Sequence, residues 1–279
     1  MPFISIICPY RNSLPFLQAL VSNVRSQTFL DWELILIDDG SMDGGAEVAH
    51  LLARKDSRIR SLSAPVRRKA DADGPWWPRN HGIACSQGRL IAFLDVDDLW
   101  HPTKLERQIH YLTTTHSDLC ITGYARFADQ DVMLRSWRLP PETVNYARLR
   151  LGNAIPLLTV LIKREFISHG FRPAKHEDYL LWLDSFRARP DMTCSTVPEL
   201  LAFHRRHKDN LTASRVAMAA WAYSVYRWHG CSIVSSMASL VPWFANQYMQ
   251  WIRCFHNPLL CTLSHALQIE SALSLPPKV

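Results

Sequence analysis

A chain of 279 residues with 48% hydrophobic and 20% charged side chains can bury one large core, and that composition excludes a disordered chain. Its net charge of +6 suits nucleotide phosphates or anionic lipid headgroups; no nucleic-acid-binding motif accompanies it. The 7 cysteines include no C-x-x-C pair, which argues for free thiols in a reducing cytosol and against a disulfide framework or a zinc site; the first residues also lack the features of a secretory signal.

Residues 3–8 read as a strand that runs into a polar loop stopped by Pro9. Leu14, Leu17, Leu20, Val21 and Val24 carry helical periodicity across 14–27. A second apolar strand, 33–37, ends in Asp38, Asp39, Gly40 and Ser41. Strand, helix, strand at this length is a βαβ unit with a right-handed crossover. Residues 44–60 read as a helix and a short strand into Leu62. Residues 64–78, with the Trp76-Trp77 pair, read as a long loop beside a substrate, and 79–86 as a helix. The apolar run 90–94 is a buried strand that ends in Asp95, Asp97 and Asp98.

Pro102 opens a helix through about His116, where its missing N–H does no harm. Residues 118–127 and 132–138 are strand-like and form a candidate pair. A short strand at 159–163 precedes a short helix at 165–169 that ends at Gly170. Residues 177–188 read as a helix, and 194–204 as a strand interrupted at Pro198. From 213 the chain turns rich in Trp, Tyr, Met, Ala and Ser, and 230–252 holds no Asp, Glu, Lys or Arg. A membrane span needs about 20 mainly apolar residues. Pro242, Asn246, Gln247 and Gln250 weaken that reading, so amphipathic helices are expected, packed on the domain or lying at a membrane interface. Trp243, Tyr248, Trp251 and Arg253 suit an interface.

Three polar strand ends, at Pro9, Asp38 and Asp95, thus reach one sheet edge, the edge at which open α/β sheets bind ligands. Asp95, Asp97 and Asp98 repel one another unless a cation lies between them. The Asp-x-Asp spacing suits Mg²⁺ or Mn²⁺ that also holds a diphosphate; a solvated acidic turn is the alternative.

Several phrases in order carry a family resemblance: Ser5-Ile6-Ile7-Cys8-Pro9-Tyr10-Arg11-Asn12, Ser26-Gln27-Thr28, the run from Asp31 to Ser41, Arg79-Asn80-His81-Gly82-Ile83 and Phe93-Leu94-Asp95-Val96-Asp97-Asp98. They continue at His176-Glu177-Asp178-Tyr179-Leu180-Leu181-Trp182-Leu183 and at His204-Arg205-Arg206-His207-Lys208-Asp209-Asn210-Leu211-Thr212. Over roughly residues 3–212 the chain resembles a family 2, GT-A fold inverting glycosyltransferase. The resemblance implies an α/β fold with a Rossmann-like, mostly parallel central sheet flanked by helices. It places a catalytic domain at 1–212 and a C-terminal helical appendage at 213–279.

It also implies transfer of a sugar from a nucleotide-diphosphate sugar, UDP-sugar favoured, to a hydroxyl of a glycan or lipid-linked acceptor, with Mg²⁺ or Mn²⁺. The expected setting is cytoplasmic, peripheral at the membrane face through the tail. Pro9, Tyr10, Asn12, Asp38 and Asp39 would hold base and ribose, with either aspartate reading the base. Arg79 and Asn80 would lie by the ribose-diphosphate, and Asp95 and Val96 beside the ribose. Asp95, Asp97 and His207 would ligate the metal, with His204 competing for the last place; Asp98 would organise the loop, and Arg205 or Arg206 would touch the diphosphate.

Asp178 would be the general base, with Glu177 in support. Without the resemblance, two acids at a helix start are ordinary caps. Cys8, Met42 and the length of 65–78 depart from the family's pattern. The rival expectations are a catalytically degenerate GT-A module that binds a nucleotide, glycan or partner, and a nucleotidyltransferase. The second would leave Glu177 and Asp178 without a task.

Overall fold

The computed structural model describes residues 2–65, 74–128, 131–167, 169–206 and 215–256. Four strands, β1 (Ile4–Tyr10), β2 (Trp32–Asp38), β3 (Ile59–Ser63) and β4 (Leu90–Phe93), run parallel in the order β3-β2-β1-β4. The sheet then becomes mixed through β5 (Leu99–Trp100), β6 (Leu119–Ala128), β7 (Asp131–Arg138), β8 (Val160–Lys163) and β9 (Cys194–Arg206). Strand β8 pairs antiparallel to both β4 and β6, and β6 runs parallel to β9. The expected parallel sheet is therefore the half formed by β3-β2-β1-β4, and antiparallel pairing extends the other half. The helices are α1 (Leu14–Arg25), α2 (Gly45–Lys55), α3 (Trp76–Cys85), α4 (Lys104–Thr114), α5 (Tyr146–Leu149), α6 (Glu177–Ala188), α7 (Arg215–Trp228) and α8 (Ile233–His256).

Both faces of the parallel half are covered, so β1 and β2 are buried along their whole length. Alternate residues go to opposite faces. Ile4, Ile6, Leu34 and Leu36 pack in one buried cluster with Leu17, Val21 and Leu105; Ile7, Ile35 and Ile37 pack in another with Leu180, Trp182 and Tyr226. Helix α3 lies tight on the sheet, because a Cβ at Gly82 would come within 2.7 Å of Ile7.

The elements differ from the reading in small ways with physical causes. The helix expected from Pro102 starts at Lys104, and the Pro102 carbonyl instead accepts the Thr28 N–H at 2.9 Å. The helix expected at 165–169 is a single 3₁₀ turn, Arg164–Phe166. Pro198 does not end β9. The strand bulges there, as its missing N–H requires, and pairing shifts from Thr122↔Val197 to Gly123↔Leu200. Helix α7 shares the second core: the Tyr226 hydroxyl meets the Tyr179 hydroxyl at 3.0 Å and donates to the Arg150 carbonyl at 3.0 Å. Among the described residues no helix is long and apolar enough to cross a membrane.

A buried polar cluster clamps α4 to the sheet. The Gln108 amide donates to the carbonyls of Cys120 and Thr159 at 2.8 and 2.9 Å. Lys104, fully buried, donates to Gln108 at 2.7 Å and lies 3.8 Å over the Trp100 ring. Burial pushes the Lys104 ammonium down from 10.5 to about 7. The unfolded chain therefore binds this proton more readily than the fold between those values, and stability rises with pH from about 7 to 10.5. Chemical denaturation across that window should show this rise in the parent, and Lys104→Met should flatten the contribution. A variant with the parent's full slope would refute it.

Candidate functional site

The carboxyl ends of β1, β2 and β4 and the start of α3 enclose a cleft of about 340 Å³. Pro9, Tyr10, Asp39, Arg79, Asp95, Val96 and Asp97 line it, as the motif reading requires. Arg11, Ser13, Pro75 and Pro78 line it too. Arg11 stands inside a matched phrase and Pro75 and Pro78 in the loop read as lying beside a substrate, whereas Ser13 carries no signal in the sequence.

Asn12 and Asp38 build the cleft's frame and do not line it. Asn12, at φ 48°, donates its N–H to Ser41 Oγ at 2.9 Å and accepts the Met42 N–H on Oδ1 at 2.8 Å. Asp38 is buried and accepts the Ser41 N–H at 3.0 Å. Asp43 caps α1 by accepting the Leu14 N–H at 2.8 Å, a bond that lowers its pKa. The first two strand-end loops are thus one knitted wall. Two sequence departures lose their force. Met42 contributes its backbone N–H while its side chain is 91% exposed, and Cys8 is a buried thiol whose pKa burial and the nearby Asp95 raise.

Arg79 joins the ends of the site. Only 4% exposed, it donates to Asp95 Oδ1 at 2.6 Å and to Glu177 Oε1 at 2.5 Å. Burial pushes Glu177 up to about 7 although Arg79 opposes the shift. Asn80 turns away from the cleft: its amide donates to the Phe171 carbonyl at 2.8 Å and accepts the Phe171 N–H at 2.7 Å.

The acids divide as their burial dictates. Asp95 and Asp97 are partly exposed on the cleft. Asp98 is buried, accepts the Arg205 N–H at 2.8 Å, and is raised by burial and then by Asp97 and Asp95. Arg205 donates to the Asp97 carbonyl at 2.7 Å between the rings of Phe16 and Phe127, so it braces the acidic loop from behind. His204 is half-buried in β9, and burial lowers its pKa. His207 lies outside the described residues. Among those residues no group of three His, Cys, Asp or Glu side chains forms a complete cation site. Two cleft carboxylates nevertheless fit a cation of the Mg²⁺ type, which takes one or two carboxylates and completes its shell with phosphates and water.

Asp178 follows Glu177 at the start of α6, beyond the cleft lining. Its Oδ1 accepts the Tyr179 N–H at 2.7 Å, and its Oδ2 accepts the Asn153 amide at 3.0 Å. Asn153 carries no motif signal in the sequence; only its place in the fold brings it to Asp178.

Residues 5–179 match the model of glycosyl transferase family 2. An uncharacterized glycosyltransferase of Haemophilus influenzae is 31% identical over 227 residues, 81% of this chain and 88% of the relative. The UDP-Glc:α-D-GlcNAc-diphosphoundecaprenol β-1,3-glucosyltransferase WfgD of Escherichia coli is 33% identical over 181 residues, 64% of this chain and 68% of that protein. Among solved structures, a mannosyltransferase from Pyrobaculum calidifontis in complex with GDP-Man and Mn²⁺ shares the fold, with a TM-score of 0.61 at 15% identity over 92% of this chain and 81% of that one.

Removing Arg79 should leave Glu177 buried without its cation. Arg79→Ala should lose about 3 kcal/mol, the usual cost of breaking a buried pair, and Arg79→Lys less, because lysine keeps the positive charge although its ammonium lacks the rigid fork. Urea denaturation near neutral pH reads both. Equal stability of Arg79→Ala and the parent would remove the network from the account.

Proposed function

The chain belongs to glycosyl transferase family 2 and is a glycosyl transfer enzyme; from that premise we propose that it moves a sugar, with inversion, from a UDP-sugar to a hydroxyl of a lipid-linked glycan. The observation that carries the reading is Arg79. It ties Asp95, at the cleft edge, to Glu177, the neighbour of Asp178, so one buried cation joins the acidic end of β4 to the start of the helix that carries the proposed base. The WfgD relative's name supplies the UDP-glucose donor and the diphosphoundecaprenol-linked acceptor class.

In this reading the wall of Pro9, Tyr10 and Asp39 holds base and ribose, and Asp39 rather than Asp38 faces the base, because Asp38 accepts the Ser41 N–H. Asp95 and Asp97 would hold Mg²⁺ or Mn²⁺ with His207 as the third ligand; when bound, the ion neutralises charge on the departing diphosphate. Arg79, fixed by two carboxylates, adds positive charge at the same wall. Asp178 takes the proton from the acceptor hydroxyl as that oxygen attacks the anomeric carbon from the side opposite the diphosphate. The bond from anomeric carbon to diphosphate oxygen breaks as the new C–O bond forms, so the configuration inverts. Two N–H donors fix the plane of the Asp178 carboxylate, which leaves its other lone pairs for the hydroxyl.

Asp178→Asn should lower turnover by roughly 10²–10⁴, the usual worth of a positioned base, while calorimetry finds UDP affinity unchanged. Full turnover in this variant would eliminate Asp178 as the base. Asp97→Ala should abolish the Mn²⁺-dependent part of UDP binding; binding that is the same with EDTA and with Mn²⁺ in the parent would count against the metal. Asn153→Ala should lower kcat by about 10-fold, one lost charge-assisted hydrogen bond, with donor KM and melting temperature near the parent's. A KM effect without a kcat effect would give Asn153 a different role.

A further inference from the structure

Helix α8 turns one face inward and one outward, and the outward face is apolar. Ser236, Ser239 and Trp243 are buried, and Leu240 packs on the second core. Val234, Met237, Val241, Phe244 and Tyr248 lie at steps of 3, 4, 3 and 4 residues and are each at least half exposed, Val234 at 78% and Val241 at 71%. Such steps place side chains in one line along a helix. A surface helix ordinarily shows water its polar side, and an unbroken exposed apolar stripe marks a binding surface.

The stretch of chain that holds the stripe carries charge of one sign. No Asp or Glu occurs between residues 213 and 269, whereas Arg215, Arg227 and Arg253 do. At the start of α8, the exposed side chains of Arg187 and Arg227 clasp the turn between α7 and α8: Arg187 donates to the His229 carbonyl at 3.0 Å and Arg227 to the Cys231 carbonyl at 2.5 Å. An apolar stripe with an aromatic end and arginines beside it is the pattern of a helix lying in the headgroup layer of an anionic bilayer.

We infer that the Val234–Tyr248 face of α8 docks on an anionic lipid surface and holds the enzyme where a lipid-linked acceptor lies. The inference draws on the proposed acceptor class for its purpose, and on the stripe and its charges for its substance. A second copy of the chain fits less well. Helix pairs set register with charges beside the seam, and here Ala238, Ala245 and Gln247 stand in those places. Pairing would also bring like-charged arginines together. The docking is coupled to the site through packing. His229 bonds Asp184 of α6 at 2.8 Å and the Tyr146 hydroxyl at 2.8 Å, and the His176 ring stands 5.4 Å from Trp221 of α7, one residue before Glu177.

The test is co-sedimentation of the full chain with vesicles of phosphatidylcholine, with and without phosphatidylglycerol. The parent should bind the anionic vesicles. Val241→Asp and Val234→Asp should each weaken that binding by about 10-fold or more, with melting temperature and transfer to a short water-soluble acceptor unchanged. Arg187→Glu with Arg227→Glu should weaken it without touching the stripe. Failure of the parent to bind, or equal binding by the aspartate variants, overturns the inference. So does a parent dimer that Val241→Asp turns into a monomer in light scattering while vesicle binding persists. Vesicle binding by a chain that ignores lipid-linked acceptors would overturn the acceptor reading alone.

Discussion

A guanidinium buried as deeply as Arg79 is tolerable only with carboxylates against it, and it takes them from distant parts of the chain. Asp95 stands at the end of β4; Glu177 opens α6, 98 residues from Arg79 in sequence. The cation rides on α3, and α3 reaches the sheet closely enough because residue 82 is glycine, with Ile7 and Ile37 where a Cβ would go. Move α3 outward and the fork no longer spans both acids. The ionic unit therefore depends on a packing detail one helical turn away, and the relative positions of the acidic strand end and helix α6 depend on the ionic unit.

A second constraint acts on the loops. Backbone N–H groups at strand ends need acceptors, and here short polar side chains supply them across loops: Asn12 for Met42, Asp38 for Ser41, Asp43 for Leu14. Which acids face the cleft follows from this arithmetic. Asp38 and Asp98 are buried and accept backbone N–H groups, whereas Asp39, Asp95 and Asp97 line the cleft. The pairs Asp38-Asp39 and Asp97-Asp98 look alike in a string of letters; burial and one N–H apiece separate their roles.

The parts of the fold legible in the sequence were those governed by local patterning. Apolar runs that end in polar loops marked β1, β2 and β4, and 3.6-residue periodicity marked α1, because both signals lie within a few residues. The antiparallel pairing of β8 with β4 and β6 was not legible, since strand order depends on long-range packing. Asn80 shows a related effect: it sits beside Arg79 in a matched phrase, but one residue along a helix turns a side chain by about 100°, and its amide bonds Phe171. Asn153 had no local signal at all. Its value comes from the approach of Asp178, and a lone Asn before Ala-Ile-Pro reads only as a turn.

The C-terminal region is where composition and structure diverge most usefully. Its few charges suggest an appendage, yet α7 completes the core beneath α6 through Val225 and Tyr226. Asp184 of α6 binds His229 and also pairs with Arg172, which lies near the stretch that Asn80 holds at Phe171. A chain of polar contacts thus runs from the turn before α8 to the segment beneath Arg79. The turn before α8 is held by two arginines and carries a buried histidine. A helix needed only to cover the core would bury its apolar side and show water its polar side. Helix α8 buries Ser236 and Ser239 beside Trp243 while Val234 and Val241 stay exposed, so a good part of its apolar surface is left for a contact outside the core.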